Sequence, residues 1–173
     1  MGKENALDGP LVVKNMDKHK VRIGCGMRLT AQIGDYEMAQ VILDFGSDAN
    51  VFPKKNWEKM GRPMLQWSLI QMRMVNQQKI IPMGQLQGVT IDIEFVSVLA
   101  DFEVIEIVDD RNPYPVLLGI DWAIDMNGLI NLKKRTMSFE RKLLRVVVPL
   151  DPAKGPRYTE PVHDYEESNN HLD

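Results

Sequence analysis

Two apolar runs interrupt an otherwise alternating chain: Met38-Ala39-Gln40-Val41-Ile42-Leu43 and Val116-Leu117-Leu118-Gly119. Continuous runs of this length, each bounded by a glycine, predict strands covered on both faces. Elsewhere the pattern has period two. Residues 70–74 and 89–95 alternate apolar and polar positions and 102–107 nearly do, which predicts sheet with one wet face. Residues 21–30 and 36–43 are strand-like and are separated by Gly34-Asp35, a two-residue hairpin signal. Helical signals are short. Pro53 opens a helix over 54–60 that Gly61 stops and Pro63 reinforces, with Trp57 and Met60 on its core face. A second helix is expected over 122–126, with Asp121 as N-cap and Asn127-Gly128 as stop. Residues 129–132 and 136–139 pair across Lys133-Lys134-Arg135, and 144–148 form a last strand. The sum is an all-β chain with one or two short helices.

Composition divides the chain in three. Residues 1–19 are polar, carry Gly9-Pro10, and read as a flexible lead-in with a short strand at 11–13. The domain is expected over 20–149. From 150 to 173 the chain carries Pro152, Pro156 and Pro161, and its last fourteen residues hold five acids and no lysine or arginine, a composition that suits a linker or disordered tail. In 173 residues with a 44% hydrophobic share there is material for one real core.

Charge and cysteine narrow the function classes. A net charge of -3 argues against a nucleic-acid surface, and the one basic run, at 133–135, falls in a turn. The single cysteine, Cys25, allows no internal disulfide, suits a reducing compartment, and has no partners for a zinc site. His163 and His171 are too sparse to ligate a metal unaided. No stretch approaches the roughly eighteen continuous apolar residues of a membrane span. The start, Met-Gly-Lys-Glu-Asn, has no signal-peptide core, and Ala6 stands where a myristoylation signal carries Ser or Thr. A cytoplasmic location, with no membrane partner, follows as the expectation.

The candidate chemistry sits at Asp44-Phe45-Gly46-Ser47-Asp48, where the first apolar run ends. A charge at the end of a doubly covered strand is costly unless something uses or pairs it. Two readings are open on these residues: a catalytic carboxylate, or an aspartate that begins a turn or caps a helix. Asp44-Phe45-Gly46 also spells the magnesium-binding signature of protein kinases. That reading fails, because there is no His-Arg-Asp loop, Gly24-Cys25-Gly26 lacks a third glycine, and the chain is too short for two lobes. Asp109-Asp110 reads as a solvated turn.

The ordered set Val41-Ile42-Leu43-Asp44-Phe45-Gly46-Ser47, Val51-Phe52-Pro53, the polar-tipped hairpin from Val75-Asn76 to Pro82-Met83-Gly84, Leu117-Leu118-Gly119-Ile120-Asp121-Trp122 and Met137-Ser138-Phe139 resembles a retropepsin-like aspartic protease domain. It is similar to the protease segment of plant long-terminal-repeat retrotransposon polyproteins of the Ty3/gypsy kind, over about 21–148. The resemblance implies a closed β-barrel, half of a pepsin, with a flap hairpin. It implies an endopeptidase that processes a retrotransposon polyprotein in the cytoplasm or within retroelement particles, with no metal or organic cofactor. Asp44 would be catalytic, and Phe45, Gly46, Ser47 and Asp48 would form the active-site loop, with Asp48 at the position that bonds substrate main chain. Asn76, Gln77 and Gln78 would be the flap, and Leu117, Leu118 and Gly119 the second hydrophobic-glycine loop.

Catalysis of this kind needs two carboxylates that share a proton, and the chain has a single Asp-x-Gly. The resemblance therefore implies a homodimer with peptide or polyprotein as its other partner. One position departs from the pattern. The usual Thr or Ser after the catalytic aspartate bonds across the dimer, and Phe45 has no hydroxyl. An apolar side chain there can instead add subunit contact. The alternative function is a catalytically inactive pepsin-like module, derived from a retroelement, that binds partners or serves as structure.

Overall fold

A computed structural model describes residues 26–68, 72–73, 79–108, 113–152 and 154–163. Its first hairpin joins β1 (Met27–Ile33) to β2 (Tyr36–Leu43). The turn falls on Gly34-Asp35 as the dipeptide predicts, with Gly34 at φ +56, a conformation in which a Cβ is strained. β3 (Asn50–Pro53) runs directly into α1 (Lys54–Lys59), for which Pro53 is the N-cap residue. Gly61 ends it at φ +86, and Trp57 and Met60 pack on the core as their shared face predicts.

The long hairpin β6 (Gly84–Ile93) and β7 (Val96–Ile105) departs from its alternation pattern. Phe95 continues the apolar rhythm and is expected in the strand. The chain instead reverses at Glu94, whose φ is +53, and leaves Phe95 85% exposed. β7 therefore starts well before residue 102. Period two records which face a side chain takes, and it does not register a tight turn whose own residues continue the alternation.

β8 (Leu117–Leu118) pairs in parallel with β2 and in antiparallel fashion with β3, while β3 pairs in parallel with β7. The order β1-β6-β7-β3-β8-β2 returns to β1 through the β1–β2 ladder. The result is a closed barrel, as the resemblance implied, and it has six strands. Its interior is filled from alternate positions: Leu29, Ile33, Met38, Val41, Phe52, Ile91, Phe102, Val104 and Leu118 are all buried in one cluster. Phe52 and Phe102 meet edge to face at 5.5 Å, a favoured ring geometry.

α2 (Ile120–Asp125) leads to a separate three-stranded sheet of β9 (Leu129–Asn131), β10 (Thr136–Arg141) and β11 (Leu144–Pro149). Met137 and Phe139 turn inward from this sheet, and Phe139 packs edge to face on Trp122 at 5.7 Å. The basic turn 133–135 joins β9 to β10 as predicted. The expected cap at Asp121 is corrected. Gly119 is the N-cap residue and Asp121 lies in the first turn, because tertiary acceptors take the amides at the helix start. The Gly119 N–H donates to Asn50 Oδ1 at 2.9 Å and the Ile120 N–H to Ser47 O at 2.8 Å. A short antiparallel pair, β4 (Met72–Arg73) and β5 (Lys79–Ile80), flanks the polar hairpin tip. The tip itself, Asn76, Gln77 and Gln78, lies outside the described residues, as do 1–25, Asp109-Asp110 and the last ten residues of the chain.

Residues 150–152 and 154–163, which composition reads as the start of a linker or tail, are joined to the barrel. β12 (Thr159–Pro161) adds to the edge of β2 with Thr159 opposite Met38. The anchor is Asp151. β2 carries a bulge: Leu29 pairs with Val41 and Ala31 with Met38, so Ala39 and Gln40 together oppose Thr30. Gln40 adopts φ +65, a left-handed conformation costing about 1–2 kcal/mol for an ordinary residue. Asp151 holds both sides of this bulge, accepting from Gln40 N–H at 3.0 Å and from Thr30 Oγ1 at 3.0 and 3.1 Å. The Gln40 side-chain amide donates to Pro152 O, and Ala39 N–H to Tyr158 O. Proline and acid content suits a tail; a carboxylate with two donors waiting for it, one on each strand, overrides that composition. Among the described residues no helix is long and apolar enough to cross a membrane.

Asp151→Ala removes a charged acceptor from both strands. It is expected to lower stability by about 1.5–3 kcal/mol, read as a shift in denaturant midpoint with little change in slope.

Candidate active site

Asp44 leaves the barrel where β2 ends. Its own N–H donates to Leu118 O at 3.0 Å, and Ile42 N–H donates to Val116 O at 3.1 Å, so the parallel β2–β8 ladder fixes the backbone up to the aspartate. The side chain is exposed. One carboxylate oxygen, Oδ1, accepts the Gly46 N–H at 2.9 Å, and Asp44 O accepts the Ser47 N–H at 3.2 Å. This is the turn that an aspartate followed by glycine favours. The turn reading and the catalytic reading of Asp44 are thus compatible, because the turn is what holds the carboxylate at the surface.

The rest of the loop is clamped by β8 and α2. Ser47 Oγ donates to Ala49 O at 2.7 Å, and Ser47 O accepts the Ile120 N–H. Gly119 crosses so closely that a Cβ there would lie 2.6 Å from Ser47 O and 2.7 Å from Ala49 O. Leu117 and Leu118 are buried on either side of the ladder. The first and second hydrophobic-glycine segments, Asp44–Asp48 and Leu117–Gly119, are therefore brought together, through backbone atoms for the most part.

Two side chains of the pattern go elsewhere. Phe45 is half-buried against the core of its own chain and lines a depression of about 390 Å³ with Ile120, Ile124, Leu129 and Met137. Asp48 is exposed and lines a separate groove with Asp121 and Asp125. The flap tip is outside the described residues.

Two residues of the site carry no sequence signal. Asn50 caps the Gly119 amide from the first position of β3. Tyr114 belongs to a small apolar cluster with Val51, Ile105 and Leu117, and its hydroxyl is pushed up to about 12, first by burial and then by the negative charge of Asp44. The phenol therefore stays neutral beside the carboxylate. A tyrosine between two prolines, Pro113 and Pro115, reads as loop, and only the fold places it near residue 44. Among the described residues no group of acid, histidine and cysteine side chains converges to hold a metal ion.

The closed barrel, with an Asp-x-Gly turn at the end of one strand clamped by a hydrophobic-glycine segment, defines a retropepsin-like fold. The chain is similar to the crystal structure of the retroviral protease-like domain of Ddi1 from Leishmania major, with a TM-score of 0.56 and 18% identity, covering 75% of this chain and 96% of that one. At that identity the likeness is one of fold. No protein-family model and no curated protein matches the chain.

Gly119→Ala is expected to cost about 1–3 kcal/mol, since the new methyl meets backbone oxygens that cannot rotate away, and to loosen the Asp44 turn. The check is the denaturation midpoint together with faster amide exchange at Gly46 and Ser47. Tyr114 gives a pH prediction. Between its ordinary value of 10.0 and about 12 the unfolded chain has lost the phenolic proton and the folded chain keeps it. Its stabilising contribution is therefore whole below pH 10 and is lost as pH rises toward 12. Tyr114→Phe should show a shallower loss of stability across that window than the parent.

Proposed function

We propose that this chain is an aspartic-type endopeptidase, active as a homodimer in which each subunit supplies one Asp44. The observation that carries the reading is the Asp44-Phe45-Gly46 turn, exposed and clamped at a barrel end, directly beside an uncovered apolar surface. Ile124, Leu129 and Leu132 are 66%, 64% and 75% exposed, and Phe45 borders the same depression. β9 is the edge of its sheet among the described residues, and an exposed apolar edge strand is a template for a second chain. A second copy seated there would bring its own Asp44 turn toward the first. Phe45 then supports the dimer through apolar contact in place of a hydroxyl.

In the dimer the two carboxylates titrate as a pair that holds one proton in mildly acidic solution. The ionised member takes a proton from a bound water as the water oxygen bonds to the scissile carbonyl carbon. The neutral member gives its proton to the carbonyl oxygen, forming a gem-diol. Collapse breaks the C–N bond as the amine nitrogen takes a proton from one carboxyl and the other carboxylate takes the proton of one diol hydroxyl, so a carboxylic acid and an amine leave and the pair again holds one proton. Gly46 gives the loop room for close approach of a peptide backbone, and the substrate would bind as an added strand. The substrate expected from the sequence resemblance is the polyprotein of a plant Ty3/gypsy-type retrotransposon, met in the cytoplasm or in retroelement particles. No cofactor is needed by this mechanism.

The full chain should cleave members of a peptide library near pH 5, with inhibition by pepstatin and a bell-shaped pH profile. Asp44→Asn should abolish cleavage, by at least about 10³-fold, while sedimentation still finds a dimer. A pure, folded dimer with no cleavage would instead support a pepsin-like binding module.

A further inference from the structure

A groove of about 880 Å³, sharing no lining residue with the Phe45 depression, runs along β7, α2 and β10. Six carboxylates line it, Asp48, Asp101, Glu103, Asp121, Asp125 and Glu140, drawn from the Asp44 loop, β7, α2 and β10. Two bases, Arg141 and Lys142, stand at its β10–β11 end. Charge alone would make this an ordinary solvated face, but two buried atoms in its wall do not fit that account.

Glu103 is 2% exposed although it points, like Asp101 two residues before it, out of the barrel. Its Oε1 accepts the Gln85 Nε2–H at 3.0 Å, while its Oε2 has no partner among the described residues. Trp122, 3% exposed in the same wall, has an indole N–H likewise without an acceptor. A buried polar atom left unpaired destabilises the fold, the more so where the group is charged. Glu103 can only accept when ionised and Trp122 can only donate. A ligand that satisfies both must carry a donor, best a cation, and an acceptor such as a carbonyl. No group of three ligating side chains among the described residues is placed to hold a metal ion, so the cation that fits is an organic one with several donors.

We propose that this groove binds an arginine-bearing peptide segment, with the guanidinium reaching Glu103 and a main-chain carbonyl reaching the Trp122 N–H. The planar fork of arginine suits a carboxylate better than the ammonium of lysine does. The ring of Asp48, Asp121 and Asp125 draws the positive segment in, and the exposed Leu99, on the same face of β7 as Asp101 and Glu103, receives its aliphatic stem. The groove is thus a recognition site separate from the hydrolytic chemistry, and it needs no activity to be occupied.

The test uses the full chain carrying Asp44→Asn, so that cleavage plays no part. The probe is a fluorescein-labelled alanine peptide with two arginines, read by fluorescence anisotropy at low and at physiological salt. The same peptide with citrulline, which keeps the shape and loses the charge, should bind at least about tenfold more weakly, and Glu103→Gln should weaken the arginine peptide by about tenfold. Asp121→Asn with Asp125→Asn, both on the exposed rim, should weaken it several-fold and flatten its salt dependence. Equal binding of the two peptides, no binding of either, or arginine-peptide binding that Glu103→Gln leaves unchanged would overturn the proposal. If Glu103→Gln does not fold, the exposed double variant decides: unchanged affinity and salt slope overturn the site. Competition by spermidine as strong as by the peptide itself would also overturn it, since diffuse attraction would then account for the binding.

Discussion

The close crossing of Gly119 over Ser47 and Ala49 is the contact on which the rest of the site depends. At that point the chain has room for backbone and nothing else. The same crossing provides acceptors for the first amides of α2, joins β8 to β2, and closes the barrel between β3 and β2. Because these bonds run from backbone to backbone, or from Asn50 to backbone, they fix the loop with little dependence on its side chains. Asp44 is therefore held by its surroundings while its own carboxylate faces solvent. A group that must react benefits from this division, since its position is set by atoms that take no part in the chemistry.

Three carboxylates show how environment assigns different work to the same group. Asp151 is consumed by structure, with donors from both strands of the β1–β2 bulge. Asp44 shares one oxygen with its own turn and stays exposed. Glu103 is buried with one oxygen bonded and the other without a partner among the described residues. Burial, partner count and exposure separate a strut, a candidate catalyst and a candidate recognition residue in a way that residue type does not.

Much of the fold was legible because strands and turns write themselves locally. Gly34-Asp35, Pro53 before α1, Gly61 after it, the 133–135 turn and the β10–β11 strands all follow from period and turn chemistry over a few residues. The misreadings also have local causes. Phe95 carried the alternation past a turn that Glu94 makes in a left-handed conformation. Asp121 has the residue type of an N-cap but sits two residues too late, since the Gly119 amide already has a tertiary acceptor. Residues 150–152 and 154–163 have the composition of a linker or tail, and the partners of Asp151 and of 159–161 lie more than a hundred residues away.

The candidate site divides in the same way. An acid at the end of a doubly buried strand, followed by glycine, marked Asp44 without any structure, and the order of the second hydrophobic-glycine run suggested what would meet it. Tyr114, Asn50 and the separate destinations of Phe45 and Asp48 could not be read, because they depend on which strands pair and in what register. Sequence by itself determined the faces of the strands, the turns between them and the one Asp-x-Gly turn that carries the proposed catalytic aspartate, since these follow from periods of two and from backbone preferences of single residues. Tertiary structure alone decided barrel closure, the clamp on the Asp44 turn and the unpartnered atoms of Glu103 and Trp122, since each is a contact between segments that share no local sequence pattern.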